Sequence, residues 1–127
     1  MDTDEYSRLV DLTITVDGDA EPLRGLRSWL GDEPELQGRL TARESTPRPG
    51  TLGPLLEALV VAVGPGGVAA ALVTGLVSWL RQQRGDVTVR VERADGSSFE
   101  ISAQRVKGLD AAGLREEVRI LAEAAEP

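Results

Sequence analysis

The stretch that decides the fold is ALVVAVGPGGVAAALVTGLVSWL at residues 58–80, which contains no charged residue. It lies in a chain of 127 residues with 21 acidic and 14 basic side chains, a formal net charge of −7. An apolar run of this length either spans a bilayer or must be buried against protein. How this stretch is buried therefore determines both the fold and the contacts of the protein.

Helix-breaking residues divide the apolar stretch into two parts. The sequence GPGG occupies residues 64–67. Proline in a helix interior costs ~3 kcal/mol and each glycine about 1 kcal/mol relative to alanine. We therefore predict two helices, residues 52–63 and 65–83, joined by a sharp turn. Arg81 and Arg84 lie at the end of the second helix, where cations interact favourably with the helix dipole.

Alternating patterns predict strands before the apolar stretch. Residues 8–17 alternate between apolar and polar side chains and are rich in β-branched residues, which is typical of a half-buried strand. Residues 38–45 predict a second strand. The helix between them is capped by Asp19 and ends at Gly31. This strand-helix-strand segment has the size of a right-handed crossover, so we predict that the two strands pair in parallel.

The C-terminal part predicts a hairpin and a helix. Residues 87–92 and 99–104 alternate as two strands, and Asp95 and Gly96 provide the turn between them. Asp110 precedes a helical pattern and is predicted to cap it.

The predicted fold class is α+β. We expect a four-stranded mixed sheet with helices on one face, in the order β-α-β-α-α-β-β-α, within a single domain over residues 1–127. Residues 46–50, which contain two prolines, form an extended connector between the first half and the apolar helices.

The composition excludes several classes of function. The chain has no Cys and no His, so it offers no disulfide, thiol nucleophile, imidazole base or ordinary zinc site. Its acidic balance argues against nucleic acid as a partner, because duplex binders carry a basic face. The acidic N-terminus lacks the pattern of a signal peptide, which favours a cytoplasmic protein. We expect no enzymatic activity.

Two weak site patterns predict neither a metal nor a cofactor. Asp11, Asp17 and Asp19 fall short of a ligand set for a hard cation, and capping alone explains Asp19. The glycine-rich residues 64–67 lack the Lys and Ser/Thr of a nucleotide-binding loop, so a helix break is the simpler interpretation.

The second apolar helix carries the candidate interface. It is apolar on almost every side, and a single sheet covers only one of them. Small residues recur at every fourth position, a spacing that lets helix backbones approach closely. The candidate interface residues are Gly67, Ala71, Leu72, Gly75, Leu76 and Trp79.

Three interpretations of this helix stay open. It forms an oligomer or partner interface, it serves only as core, or it enters a membrane with Arg81 and Arg84 on the cytoplasmic side. The same two arginines are candidates for docking an acidic partner or anionic lipid. Against a membrane span, the segment after the break has about 15 uncharged residues, roughly 22 Å, whereas the hydrocarbon core is ~30 Å thick.

Five segments resemble a known family when their order and spacing are considered together. They are VDGD at residues 16–19, LRSWLGDEPELQGR at 26–39, PGTLGPLLEALVVAVGPGG at 49–67, LVSWLRQQRGDVTVRV at 76–91, and ISAQRV at 101–106. Over nearly its whole length the chain resembles the effector-associated constant component proteins of actinobacterial conflict systems. Such proteins are typically encoded beside proteases of trypsin or caspase type, or beside other variable effectors.

The resemblance implies an accessory or adaptor component in bacterial defence, with no enzymatic activity and no assigned site residues. We expect this component to assemble as a homo-oligomer or to bind an effector protein, such as a trypsin-like or caspase-like protease, through its apolar helix. The alternative is a component that is anchored in a membrane, or permeabilises it, with the same helices.

Overall fold

The computed structural model of the chain describes residues 10–17, 20–45, 50, 55–64 and 67–126. The elements, in chain order, are β1 (Val10–Val16), α1 (Ala20–Gly31), a 3₁₀ turn (Pro34–Leu36), β2 (Leu40–Ser45), β3 (Leu55–Val63), α2 (Val68–Arg81), β4 (Thr88–Glu92), β5 (Ser98–Ser102), α3 (Ala103–Lys107) and α4 (Ala111–Ala125). The predicted α+β class is confirmed. The predicted Asp19 cap and residues 46–49 of the predicted connector lie outside the described residues.

The strands form one antiparallel sheet of five strands in the order β2-β3-β1-β4-β5. The prediction of a four-stranded mixed sheet is therefore wrong. β1 and β2 do run in the same direction, because each is antiparallel to β3. They are not paired with each other, since β3 lies between them.

The prediction of a first apolar helix over residues 52–63 is wrong, because Leu55–Val63 form strand β3. This strand pairs with β1 on one edge and with β2 on the other. A strand in such a central position reads as a nearly continuous apolar run, which periodicity alone does not distinguish from a buried helix. The valines at 60, 61 and 63 favour the strand, since β-branched side chains pack well on a pleated surface.

One face of the sheet carries the core. The strand register places apolar side chains of all five strands on this face, where α1 and α2 pack. Its fully or almost fully buried members are Leu12, Ile14, Leu59, Val61, Val63, Val89, Val91 and Ile101. The opposite face is more polar, with Thr13, Thr41, Thr88 and Arg90 among its members beside Val60. The sheet thus positions α2 on the apolar face.

The predicted second apolar helix is confirmed in a shorter form, as α2. Gly67 precedes it as N-cap with a φ of 95°, a left-handed conformation that glycine adopts without steric cost. Gln82 follows as C-cap. The helix is only 14 residues long, because the chain turns away beyond Arg81.

The predicted β4–β5 turn is confirmed. Gly96 has a φ of 92°, and the amide of Arg93 donates to the carbonyl of Ser97 at 2.7 Å. β5 ends earlier than predicted, because the hydroxyl of Ser102 accepts from the amide of Arg105 at 3.1 Å and begins α3. These local hydrogen bonds thus fix the turn after β4 and the point at which β5 gives way to α3.

Two contacts hold the ends of α4. The predicted cap is confirmed, since the Asp110 carboxylate accepts from the amide of Gly113 at 2.7 Å. At the other end, the guanidinium of Arg93 donates to the carbonyls of Ala124 at 2.6 Å and Glu126 at 3.0 Å. Carbonyls in the last turn have no partner within the helix, so an arginine from the hairpin supplies one.

The Asp95 carboxylate accepts hydrogen bonds from the Ser97 hydroxyl at 2.6 Å and the Ser97 amide at 2.9 Å. These bonds, with the nearby charge of Arg93, lower the pKa of Asp95. We expect Ser97→Ala to raise this pKa toward its ordinary value, because the hydroxyl makes the largest contribution. An NMR titration of the Asp95 carboxyl carbon measures the change, with Ser98→Ala as control.

The sign of the associated pH dependence follows from linkage. The pKa of Asp95 is lower in the folded state than in the unfolded state. The hydrogen-bonded Asp95 carboxylate therefore contributes fully to stability above the unfolded-state pKa. This contribution is lost as the pH falls through the folded pKa. An Asp95 pKa that is the same in Ser97→Ala and in the wild type would contradict this assignment.

Candidate protein-interaction site on helix α2

The chain itself covers most of α2. The helix packs on the apolar face of the sheet, and α1, the 3₁₀ turn, α3 and α4 contact it from other directions. Its buried residues are Val68, Ala69, Leu72, Val73, Leu76, Val77, Trp79 and Leu80. The sequence suggests that the side of α2 away from the sheet needs a partner molecule to cover it. For most of the helix surface this is wrong, because other helices of the same chain cover it.

The predicted interface residues fall into two groups. Leu72 and Leu76 are fully buried and Trp79 is 5% exposed, so these three side chains belong to the core and have no surface to offer a partner. Gly67 is exposed at the start of the helix, whereas Ala71 and Gly75 are half-buried. Only the second group reaches the surface.

Gly75 is the point at which α1 crosses α2. The indole Nε1 of Trp29 donates to the carbonyl oxygen of Gly75 at 3.1 Å. A Cβ atom at this glycine would lie 3.0 Å from Cδ2 of Leu30, which is itself fully buried. On the other side of the crossing, a Cβ at Gly25 would lie 3.8 Å from Nε1 of Trp79. The small residue at 75 thus serves packing within the chain.

A narrow strip of α2 remains at the surface and forms the floor of a groove. Ala70 and Thr74 are exposed, and Ala71 and Ser78 are half-buried. All four side chains are small, whereas larger side chains of neighbouring elements stand on either side. We call this feature the α2 groove, and its two flanks come from different elements of the chain.

The first flank of the α2 groove comes from α1 and the 3₁₀ turn. It consists of Trp29, Asp32, Glu33 and Glu35. Two depressions follow it, one of about 240 Å³ beside Trp29 and one of about 450 Å³ beside Glu35. Trp29 is 38% exposed, and few other large hydrophobic side chains among the described residues are exposed to this extent. Tryptophan at the rim of a groove is a common anchor of protein interfaces.

The second flank comes from α4 and the end of α2. A depression of about 310 Å³ is lined there by Leu114, Arg115 and Val118 of α4 together with Arg81. Thr74 lines the depressions on both flanks and so marks the middle of the groove. Arg84, the other arginine predicted for docking, is exposed beyond the end of α2.

The two flanks of the α2 groove carry opposite charges. Asp32, Glu33 and Glu35 lie on the first flank, and Arg81 and Arg115 lie on the second. None of these charged side chains forms an ion pair with another described residue. Elsewhere on α4, by contrast, Arg119 pairs with Glu116 and Glu123. The groove thus has an acidic flank and a basic flank, neither neutralised within the described part of the chain.

Sequence reasoning missed most of the two flanks. The sequence marks Trp29 as marginal to the inner face of α1, and it shows the acids of the following loop as solvated residues. Neither signal indicates that α1 crosses α2 at Gly75 and brings this loop beside it. Arg115 lies on a separate helix, and only the packing of α4 on α2 brings it to the groove.

The described residues offer neither a metal-binding cluster nor a membrane-spanning helix. No group of three or more acidic side chains there lies close enough together to hold a metal ion. Within the same residues, no helix combines the length and hydrophobicity that crossing a membrane requires.

Comparison with known proteins identifies one family. Residues 15–122 match the family model described as Effector Associated Constant Component 1. The matched range contains every residue that lines the α2 groove, and it confirms the resemblance drawn from the sequence. Comparisons with curated proteins and with solved structures gave no significant match.

The crossing of α1 and α2 predicts a strong effect of bulk at Gly75. We expect Gly75→Leu to lower the free energy of unfolding by roughly 1–3 kcal/mol, because the added side chain meets buried Leu30. Ala70→Leu is the matched control on the exposed strip of the same helix, with an expected change within about 0.5 kcal/mol. Urea unfolding measures both. Equal stability of the two variants would show that the crossing tolerates bulk.

Proposed function

The chain belongs to the Effector Associated Constant Component 1 family, and we propose that it is a non-enzymatic accessory component that acts by binding other proteins. Its partner is an effector protein of a bacterial defence system, such as a trypsin-like or caspase-like protease. The α2 groove is the surface through which these contacts are made. The observation that carries the proposal is the pair of oppositely charged, unneutralised flanks, one of which carries the exposed Trp29.

The shape of the groove favours a protein partner over a small molecule. Sites for small molecules are concave and enclose most of the ligand surface. The α2 groove is open along its length, and small side chains form its floor. A helix or strand of a partner fits such a surface, because small residues allow the two backbones to approach closely.

The distribution of side chains along the groove also suits a protein contact. Interfaces combine a few aromatic and arginine anchors with a surrounding polar rim. Trp29 and Arg115 stand on opposite flanks, and Glu33 and Glu35 supply charge on the flank of Trp29. A few anchoring side chains are therefore present on a surface whose floor leaves room for an incoming segment.

Thr74→Arg tests this function, because it places a large charged side chain in the middle of the groove. A trypsin-like or caspase-like protease from the source genome is co-expressed with the tagged chain, and the amount recovered in a pull-down is measured. We expect the wild type to retain the effector and Thr74→Arg to lose it at least tenfold. Thermal unfolding of each variant verifies that the fold is intact.

Gln104→Arg is the matched control, since Gln104 is exposed on α3 and does not line the groove. It should retain the effector like the wild type. Recovery of the effector by folded Thr74→Arg at the wild-type level would show that the contact lies elsewhere. Failure of the wild type to retain the effector would count against the accessory function itself.

A further inference from the structure

We infer that the segment of the effector that occupies the α2 groove is a helix with a basic side and an acidic side. This inference rests on the proposed function, in which the groove is the contact surface for an effector. It adds the chemistry of the contacting segment and the way in which that segment lies in the groove. The charges on the two flanks carry the argument.

The acidic flank selects a basic side on the partner. Asp32, Glu33 and Glu35 line it, and none of them forms an ion pair with another described residue. Trp29 stands on the same flank, and the bond from its indole nitrogen to the carbonyl oxygen of Gly75 orients the ring. An arginine of the partner therefore finds carboxylates and an aromatic face together, and its guanidinium binds both kinds of group.

The basic flank selects an acidic side on the partner. Arg81 and Arg115 line it, and both are exposed and without an ion pair among the described residues. Half-buried Leu114 and Val118 line the same depression and offer apolar contact. A guanidinium can bind a carboxylate through two parallel hydrogen bonds, so an aspartate or glutamate of the partner suits this flank.

The floor between the flanks selects small side chains on the partner. Ala70, Thr74 and Ser78 are spaced by four residues, so they follow one face of α2, and all three are small. Small residues on both helices allow the two backbones to approach closely. From Ala70 to Arg81 the strip extends about 16 Å at 1.5 Å per residue, which accommodates roughly three turns of a partner helix.

A helix, unlike a strand, presents three sides of different chemistry to such a groove. Successive side chains of a strand point to two opposite faces. In a helix they are about 100° apart, so an acidic, a small and a basic residue in consecutive positions face one flank, the floor and the other flank. The effector segment should repeat such a triplet every three or four residues. It binds in one direction only, because reversal would set its basic side against the arginines.

Charge reversal on each flank tests the inference in the co-expression pull-down. We expect Glu33→Arg/Glu35→Arg and Arg81→Glu/Arg115→Glu each to recover at least tenfold less protease than the wild type. The variant that combines all four changes keeps the net charge of −7 but exchanges the two flanks. It should lose the protease as well, whereas a contact that depends on net charge alone would be restored.

Glu44→Arg/Glu92→Arg and Arg24→Glu/Arg27→Glu are the matched controls. They make the same changes of charge at exposed positions that do not line the groove. Both should recover the protease like the wild type. Thermal unfolding verifies the fold of every variant, and Arg115→Glu alone replaces the basic reversal if that variant does not fold.

Designed peptides test the same chemistry without an effector. The first is a helical peptide of about 15 residues with glutamates on one side, alanines in the middle and arginines on the other side. The second has the same composition, with both charges distributed over both sides. Fluorescence anisotropy of the labelled peptides measures their Kd for the full chain. We expect the first peptide to bind at least tenfold more tightly, and Thr74→Arg to abolish the difference.

Three outcomes would overturn the inference: reversals that recover wild-type amounts of protease, a combined variant that regains what a single reversal loses, and two peptides that bind equally. Loss of the protease in Thr74→Arg but not in the reversals would leave the proposed function intact and contradict the chemistry of the segment. A wild type that recovers no protease but distinguishes the peptides would support this inference and count against the proposed function.

Discussion

The pairing of β3 on both of its edges is the constraint on which the rest of the structure depends. β3 joins β1 and β2, which would otherwise have no contact within the sheet. It also supplies buried Leu59, Val61 and Val63 to the face that receives the helices. The chain then passes from this strand into α2, the most apolar helix, within a few residues.

A second constraint, the close crossing of α1 and α2, shapes the surface. Gly75 allows the approach, and the indole of Trp29 donates to its carbonyl oxygen across the crossing. The same crossing places the 3₁₀ turn and its acids beside the first turns of α2. Core packing and surface charge are thus consequences of a single helix contact, and a change at Gly75 affects both.

The sequence predicted features that depend on local chemistry and failed on those that depend on pairing. The Asp95-Gly96 turn, the Asp110 cap and α2 each follow from neighbouring residues. Strand β3 did not, because an apolar run is compatible with a buried helix or a central strand, and only its two partners decide between them. For the site, helical spacing selected Leu72 and Leu76, but spacing does not reveal which side of an apolar helix its own chain covers.

The bonds from Arg93 to the last turn of α4 give the sheet a mechanical connection to the groove. Arg93 follows β4, near the far edge of the sheet, while α4 carries one wall of the groove. The C-terminal end of α4 is therefore held by the hairpin as well as by helix packing. Loss of these two hydrogen bonds would free the end of the helix whose first half brings Leu114 and Arg115 to the groove.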